Sequence, residues 1–167
     1  MSIVSVFLMK NEIIILFDID NTLFDTEKLK QTDLSTFELY DEVNDMLAKL
    51  AKIATLGIFS QGDIAFQNKK LNKTNIQHYF SDEHKHIVEY KLAVMEEVLQ
   101  KYKNKAKVYY IDDWLEMLQK AKQVDPSVFT IWMKRGEYAS VQQAKDDFSP
   151  DAVVETVRDI IPLIAQQ

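Results

Sequence analysis

Cysteine is absent from this 167-residue chain, so disulfides, thiolate metal sites and cysteine nucleophiles are excluded. Glycine and proline are scarce, at three residues each, which argues against a flexible linker or a disordered tail. Basic charge is not in excess: 20 Lys and Arg against 26 Asp and Glu leave a net charge of −6. That balance is a poor match to non-specific nucleic-acid binding. No apolar run approaches the roughly 20 residues that a membrane-spanning helix needs. The apolar opening Ile3–Met9 also lacks a basic leading segment and a small-x-small cleavage site, so it does not read as a secretory signal. A reducing cytoplasm is the expected compartment. No repeat or low-complexity segment is visible.

What is present is ordinary for a soluble globular protein, with 47% hydrophobic and 28% charged residues. The length suits a single domain over residues 1–167 with a sizeable core. Residues 1–11 read as either an extra edge strand or a leader. Glu12–Phe17 is a short apolar run rich in β-branched residues, the pattern of a strand buried on both faces. Similar runs occur at Ala54–Phe59, Lys107–Ile111 and Ser127–Trp132, with a short strand around Lys85–Val88. Apolar residues recur with helical spacing in Tyr40–Lys52 and Lys91–Lys103, and more briefly in Asp63–Asn72, Trp114–Lys122 and Val153–Ile164. Strands alternating with helices predict an α/β fold: a Rossmann-like three-layer sandwich with a central, mostly parallel sheet.

Open α/β sheets bind ligands at the carboxyl ends of their strands. Asp18 ends the first strand, Ser60 the second and Asp112-Asp113 a later one, while Lys91 opens a helix. The predicted fold therefore gathers four dispersed polar features on one edge. Two like charges about 4 Å apart cost roughly 4 kcal/mol at an effective dielectric near 20, so Asp18, Asp20, Asp112 and Asp113 together call for a cation. All the available ligands are oxygens, which selects a hard ion such as Mg²⁺. Lys91, Ser60, Thr22 and backbone N–H groups then remain to hold an anionic group, and the whole set suits phosphoryl transfer. An Asp can accept the phosphoryl group as an acyl phosphate, and a second Asp can move the proton. By chance Asp-x-Asp-x-Thr arises about 0.06 times in this composition. Its position after an apolar strand, followed in order by Ser60, Lys91 and Asp112-Asp113, is what gives it weight.

These features resemble the haloacid dehalogenase-like superfamily. Phe17-Asp18-Ile19-Asp20-Asn21-Thr22-Leu23 is similar to its first motif and Ile58-Phe59-Ser60-Gln61-Gly62 to its second. Lys91 before an amphipathic helix is similar to the third, and Val108–Asp113 to the fourth. Thr130–Gly136 resembles the last core strand with its loop, and Ser149–Val154 the short terminal strand. The resemblance implies a Mg²⁺-dependent phosphomonoester hydrolase. Asp18 would be the nucleophile and Asp20 the general acid/base. Thr22, Ser60, Gln61 and Lys91 would hold the phosphoryl group. The metal would sit on Asp18, the Asp20 carbonyl and Asp113, with Asp112 adjacent. The dehalogenases of the family lack an acid at the position of Asp20, so phosphate chemistry is favoured over carbon–halogen cleavage. Met117 departs from the Asn or Asp usual four residues after the metal Asp, and Lys85 is a rival to Lys91.

Only 38 positions separate Thr22 from Ser60 and 31 separate Ser60 from Lys91, too few for the cap domain many relatives insert. Residues 23–39 leave room for a small flap. An open site points to a large or macromolecular phosphorylated substrate, or to a partner subunit, for example in a homo-oligomer, that covers it. His84 and His86 share one face of a strand but find no third ligand, so a solvated edge is the plainer reading. The same holds for Lys134 and Arg135, and Trp114 reads as helix packing. A phosphotransferase and a non-catalytic binding domain remain alternatives. A receiver-type signalling domain does not fit, because its paired acids end the first strand and its acceptor Asp a middle one.

Overall fold

The structure, a computed structural model, describes residues 12–165; the opening Ile3–Met9 lies outside them. Six strands form one parallel sheet: β1 (Glu12–Phe17), β2 (Thr55–Gln61), β3 (Lys85–Val88), β4 (Ala106–Asp112), β5 (Phe129–Met133) and β6 (Ala152–Val154). Their spatial order is β3-β2-β1-β4-β5-β6. The helices are α1 (Thr26–Gln31), α2 (Val43–Leu50), α3 (Ile64–Lys73), α4 (Lys91–Gln100), α5 (Leu115–Val124), α6 (Gly136–Val141) and α7 (Ile160–Ala165). This is the predicted three-layer α/β sandwich.

The period of two along each strand splits the core in half. From β1, Ile15 and Phe17 face one layer with α2, α3 and α7. Ile14 and Leu16 face the other, with α4, α5 and α6. Tyr109 and Ile111 of β4 join the first layer, and Val108 and Tyr110 the second. After β3 the chain crosses to the far side of β1, and its helices change face. Right-handed crossovers require that change when the direction of winding reverses. The reversal lies between β1 and β4, whose carboxyl ends diverge into a crevice, the usual ligand position in such sheets. Pairing of Phe17 with Ile111 brings Asp18 level with Asp112, and the Asp18 N–H bonds the Ile111 carbonyl at 2.9 Å.

Two elements differ from the sequence expectation. The helix predicted over Val153–Ile164 is a strand to Val154, a 3₁₀ turn at Val157–Asp159 and then α7. A parallel partner in β5 decides this, since it satisfies the backbone of residues 152–154. Pro162 falls in the first turn of α7, where its missing N–H costs nothing. The stretch after Arg135, expected to be loop, contains α6. No inserted domain interrupts the chain between β1 and β4; residues 24–39 form a flap held by short bridges from Phe24 to Asp20 and Leu39. No helix among the described residues is long and apolar enough to cross a membrane.

Candidate active site

Asp18 leaves the end of β1 and Asp112 and Asp113 end β4, all three buried. Each offers a carboxylate oxygen within 4.8 Å of the other two. Between them stands Lys91, the first residue of α4, whose Nζ donates to Asp18 Oδ1 at 2.6 Å and to Asp112 Oδ2 at 2.5 Å. The Tyr110 hydroxyl also donates to Asp112 Oδ2, and the Trp114 N–H donates to Oδ1 at 2.9 Å. Asp112 is thus fully engaged, and it is not the side-chain cap of α5. Asp113 receives only a long 3.4 Å contact from Asn21 Nδ2, while its carbonyl accepts from Trp132 Nε1 at 3.0 Å and Gln142 Nε2 at 2.7 Å. Lys85, the rival lysine, pairs with Asp82 at the opposite end of β3. Lys91 is therefore the lysine that the fold brings to the carboxylates.

Burial first, and then their mutual repulsion, push two of these acids up: Asp18 to about 7 despite the opposing Lys91 charge, and Asp113 to about 9. A site that resists ionising its own carboxylates is short of positive charge. Its donors are all oxygen and one of them is nearly free, so the residues fit a hard divalent cation of the Mg²⁺ type.

Asp20 lines the same cavity but has its own set of partners. Its Oδ1 accepts from Lys70 Nζ and from the Thr26 hydroxyl, both at 2.5 Å, and its Oδ2 from Gln67 Nε2 at 2.7 Å. Burial works against ionisation, but the Lys70 charge and these hydrogen bonds outweigh it and hold Asp20 below its ordinary value. Lys70 is itself only 4% exposed and lies over the rings of Phe24 and Phe66. No motif pointed to it. The one available signal was its place on α3, three residues after Gln67, so that both reach the same carboxylate.

Ser60 is fully buried and accepts from Gln67 Nε2 at 3.0 Å. The Gln61 side chain lines the cavity and accepts the Lys91 N–H at 2.9 Å, fixing the start of α4. Thr22 is buried and its hydroxyl has no partner. Arg135 is neither solvated nor aimed at a ligand. Its guanidinium lies 3.7 Å over Tyr40, pairs with Glu42 at 2.6 Å and donates to the Asn21 and Thr22 carbonyls. It clamps the loop that carries the Asp pair. Lys134 remains exposed. His84 and His86 form neither a metal site nor a solvated edge: both meet the Tyr102 hydroxyl, at 3.2 and 2.7 Å. Burial pulls His86 down to about 4.

A cavity of about 530 Å³ opens onto the cluster. Asp18, Asp20, Lys91, Asp112 and Asp113 line it together with flap residues Leu29 and Leu34, Phe66 of α3, and Trp114, Met117 and Tyr138. The flap therefore shelters more of the site than the short intervals suggested, and Trp114 is wall as well as packing.

No family model and no curated protein matches the chain by sequence. Solved structures do. A haloacid dehalogenase-like hydrolase of Burkholderia xenovorans LB400 is similar over 93% of this chain and 98% of that one, at TM-score 0.76 and 19% identity. YfnB of Bacillus subtilis, a HAD-hydrolase solved with magnesium, covers 93% and 99% at TM-score 0.70 and 12% identity. A structure from Clostridium difficile named for phosphatase activity covers 93% and 99% at TM-score 0.68 and 18% identity. Haloacid dehalogenases are among the other matches. At such identities the likeness speaks to the fold alone. The chain has the fold of the haloacid dehalogenase-like hydrolases.

Proposed function

We propose that the protein is a Mg²⁺-dependent phosphomonoester hydrolase working through an aspartyl phosphate on Asp18. The observation that carries this reading is the Lys91 ammonium held between Asp18 and Asp112, with Asp113 beside them, in the crevice between β1 and β4. Such a cluster places a nucleophilic carboxylate, a fixed ammonium and carboxylate oxygens suited to a divalent cation around one point. Asp18 and Asp113 would hold the metal, with Asp112 supporting through Lys91. When bound, the cation would neutralise charge on the phosphoryl oxygens and keep the carboxylates ionised.

In the first step an Asp18 oxygen attacks phosphorus, and the bond from phosphorus to the ester oxygen breaks. The leaving oxygen takes its proton from Asp20. The arriving phosphoryl charge raises Asp20, as a like charge must, and so loads it with that proton. In the second step water attacks phosphorus, the bond to Asp18 breaks, and Asp20 takes the proton that water loses. Its three donors keep Asp20 poised as a base for that half. Lys91 and Gln61 line the cavity and are the groups on hand for the phosphoryl oxygens; Ser60 and Thr22 are fully buried and outside that lining, so they would act only after a local shift. An acid at position 20 favours this chemistry over dehalogenation.

The test is hydrolysis of an aryl phosphate with Mg²⁺ and with EDTA. Wild-type protein should turn over only with the cation, and Asp18→Asn should lose at least about a thousandfold in kcat. Undiminished turnover in Asp18→Asn, or none in folded wild type, would sink the reading.

A further inference from the structure

We propose that the cavity next to Asp20 is built for a flat, apolar leaving group, so that the substrate class is small aryl or heteroaryl phosphomonoesters. The inference rests on the phosphatase reading and adds what sits on the far side of the ester bond.

Six side chains make the walls: Leu29, Leu34, Phe66, Trp114, Met117 and Tyr138. They are contributed by the flap, α3, α5 and α6, elements far apart in sequence. Leu34 is 55% and Tyr138 47% exposed, so apolar surface is left at the rim for an occupant to cover. The placement of Leu34 is locally dictated. α1 ends with Asp33 and Leu34 at positive φ, of 52° and 60°, and with Asp33 N–H on the Lys30 carbonyl and Leu34 N–H on the Leu29 carbonyl. This is a Schellman ending, in which the closing residue returns towards the last turn of the helix. Leu29 and Leu34 both line the cavity from this ending. Across the α5 and α6 starts, the Trp114 and Tyr138 rings lie 5.4 Å apart at 51°, a packed aromatic pair that a third ring can extend.

Several polar lining groups nearest Asp20 are already committed, while Lys30 at the rim and Asn21 Oδ1 are not. Thr26 and Lys70 serve Asp20, Gln61 Oε1 takes the Lys91 N–H, and Asn21 reaches Asp113. A polyol leaving group would find few open partners beside Asp20 for the hydroxyls it brings out of water, and burying them unpaired is unfavourable. A ring system loses nothing there. The volume of about 530 Å³ also lies in the range of small-molecule sites, which bury most of their ligand, rather than of a shallow face for a protein.

The experiment compares kcat/KM for 1-naphthyl phosphate, glycerol 2-phosphate and a phosphothreonine peptide with Mg²⁺. A preference of at least about tenfold for the naphthyl ester is expected. Leu34→Asp and Tyr138→Ser, at exposed positions, should lower the naphthyl-to-glycerol ratio about tenfold, chiefly through KM. Binding of 1-naphthylphosphonate and methylphosphonate is measured alongside. Equal turnover of the esters, or preference for the polyol or the peptide, overturns the inference and leaves the phosphatase reading intact. No turnover of any ester, with naphthylphosphonate still bound the tighter, overturns the phosphatase reading and keeps the pocket. Equal binding of the two phosphonates overturns the pocket.

Discussion

Lys70 is the residue that most changes how the site works. A buried Asp left alone among apolar neighbours would resist ionisation; at Asp20, the acid/base residue of the proposed reaction, an ammonium 2.5 Å away reverses that. Its action is through Asp20, so it is a positioning residue. Lys70→Met is expected to lower kcat at least about tenfold. Asp20 then rises, which moves the basic requirement of the pH–rate profile to higher pH, and Lys70→Arg should restore part of both. A variant profile identical to wild type would refute the role. At this scale the sequence is a partial guide. Lys91 was legible because it opens a helix after a strand. Lys70 was not, because a lysine in the last turn of a helix is usually solvated, and only the approach of the β1 loop gives it a partner.

Local backbone geometry decides how the loop that carries Asp18 and Asp20 is held at the level of elements. Asn21 sits at φ 54°, and α6 begins at Gly136 with φ 80°. A Cβ on Gly136 would lie 2.9 Å from Asn21 Cγ, so glycine is needed both for the conformation and for the close approach. Gly136→Ala is expected to cost about 1–2 kcal/mol from the left-handed backbone alone, read as a lower urea midpoint. Displacing Asn21 loosens its contact with Asp113, so turnover should fall as well. Arg135 just before it ties the same loop to Glu42 and Tyr40. The dipeptide thus works as a brace between β5 and the β1 loop, where the plain expectation was a solvated turn.

At the scale of the whole molecule, two buried carboxylates of the cluster tie stability to pH, and the proposed cation would act on the same balance. Asp18 and Asp113 rise to about 7 and 9 in the fold from an ordinary 3.8. Above 3.8 the folded chain therefore holds more protons than the unfolded one, so stability declines as pH rises, until each group's folded value is passed. His86 works in the opposite direction, but only between about 4 and its ordinary 6.5. The window from pH 7 to 9 isolates chiefly Asp113, since Asp18 is passing its folded value at its lower edge. In EDTA the urea midpoint should fall across that window. Added Mg²⁺ should raise it, and by more at pH 9 than at pH 7, because binding takes up the ionised form. A Mg²⁺ increment of zero at both pH values would remove the cation site.

The sequence alone determined the strand–helix alternation, the parallel sheet and the carboxylate ends Asp18, Asp112 and Asp113, because apolar periodicity and strand termini are local signals. It also bounded the insertions, since 38 and 31 positions cannot fold a cap. Tertiary structure alone decided the rest. It decided between the two readings of Val153–Val154, helical by spacing and strand by family resemblance, by offering β5 as a partner. It gave the strand histidines a tyrosine hydroxyl in place of solvent or a metal. It raised a lined cavity where the intervals implied a bare face. Each of these depends on which side chains from distant segments meet, and a one-dimensional pattern carries no distance between them.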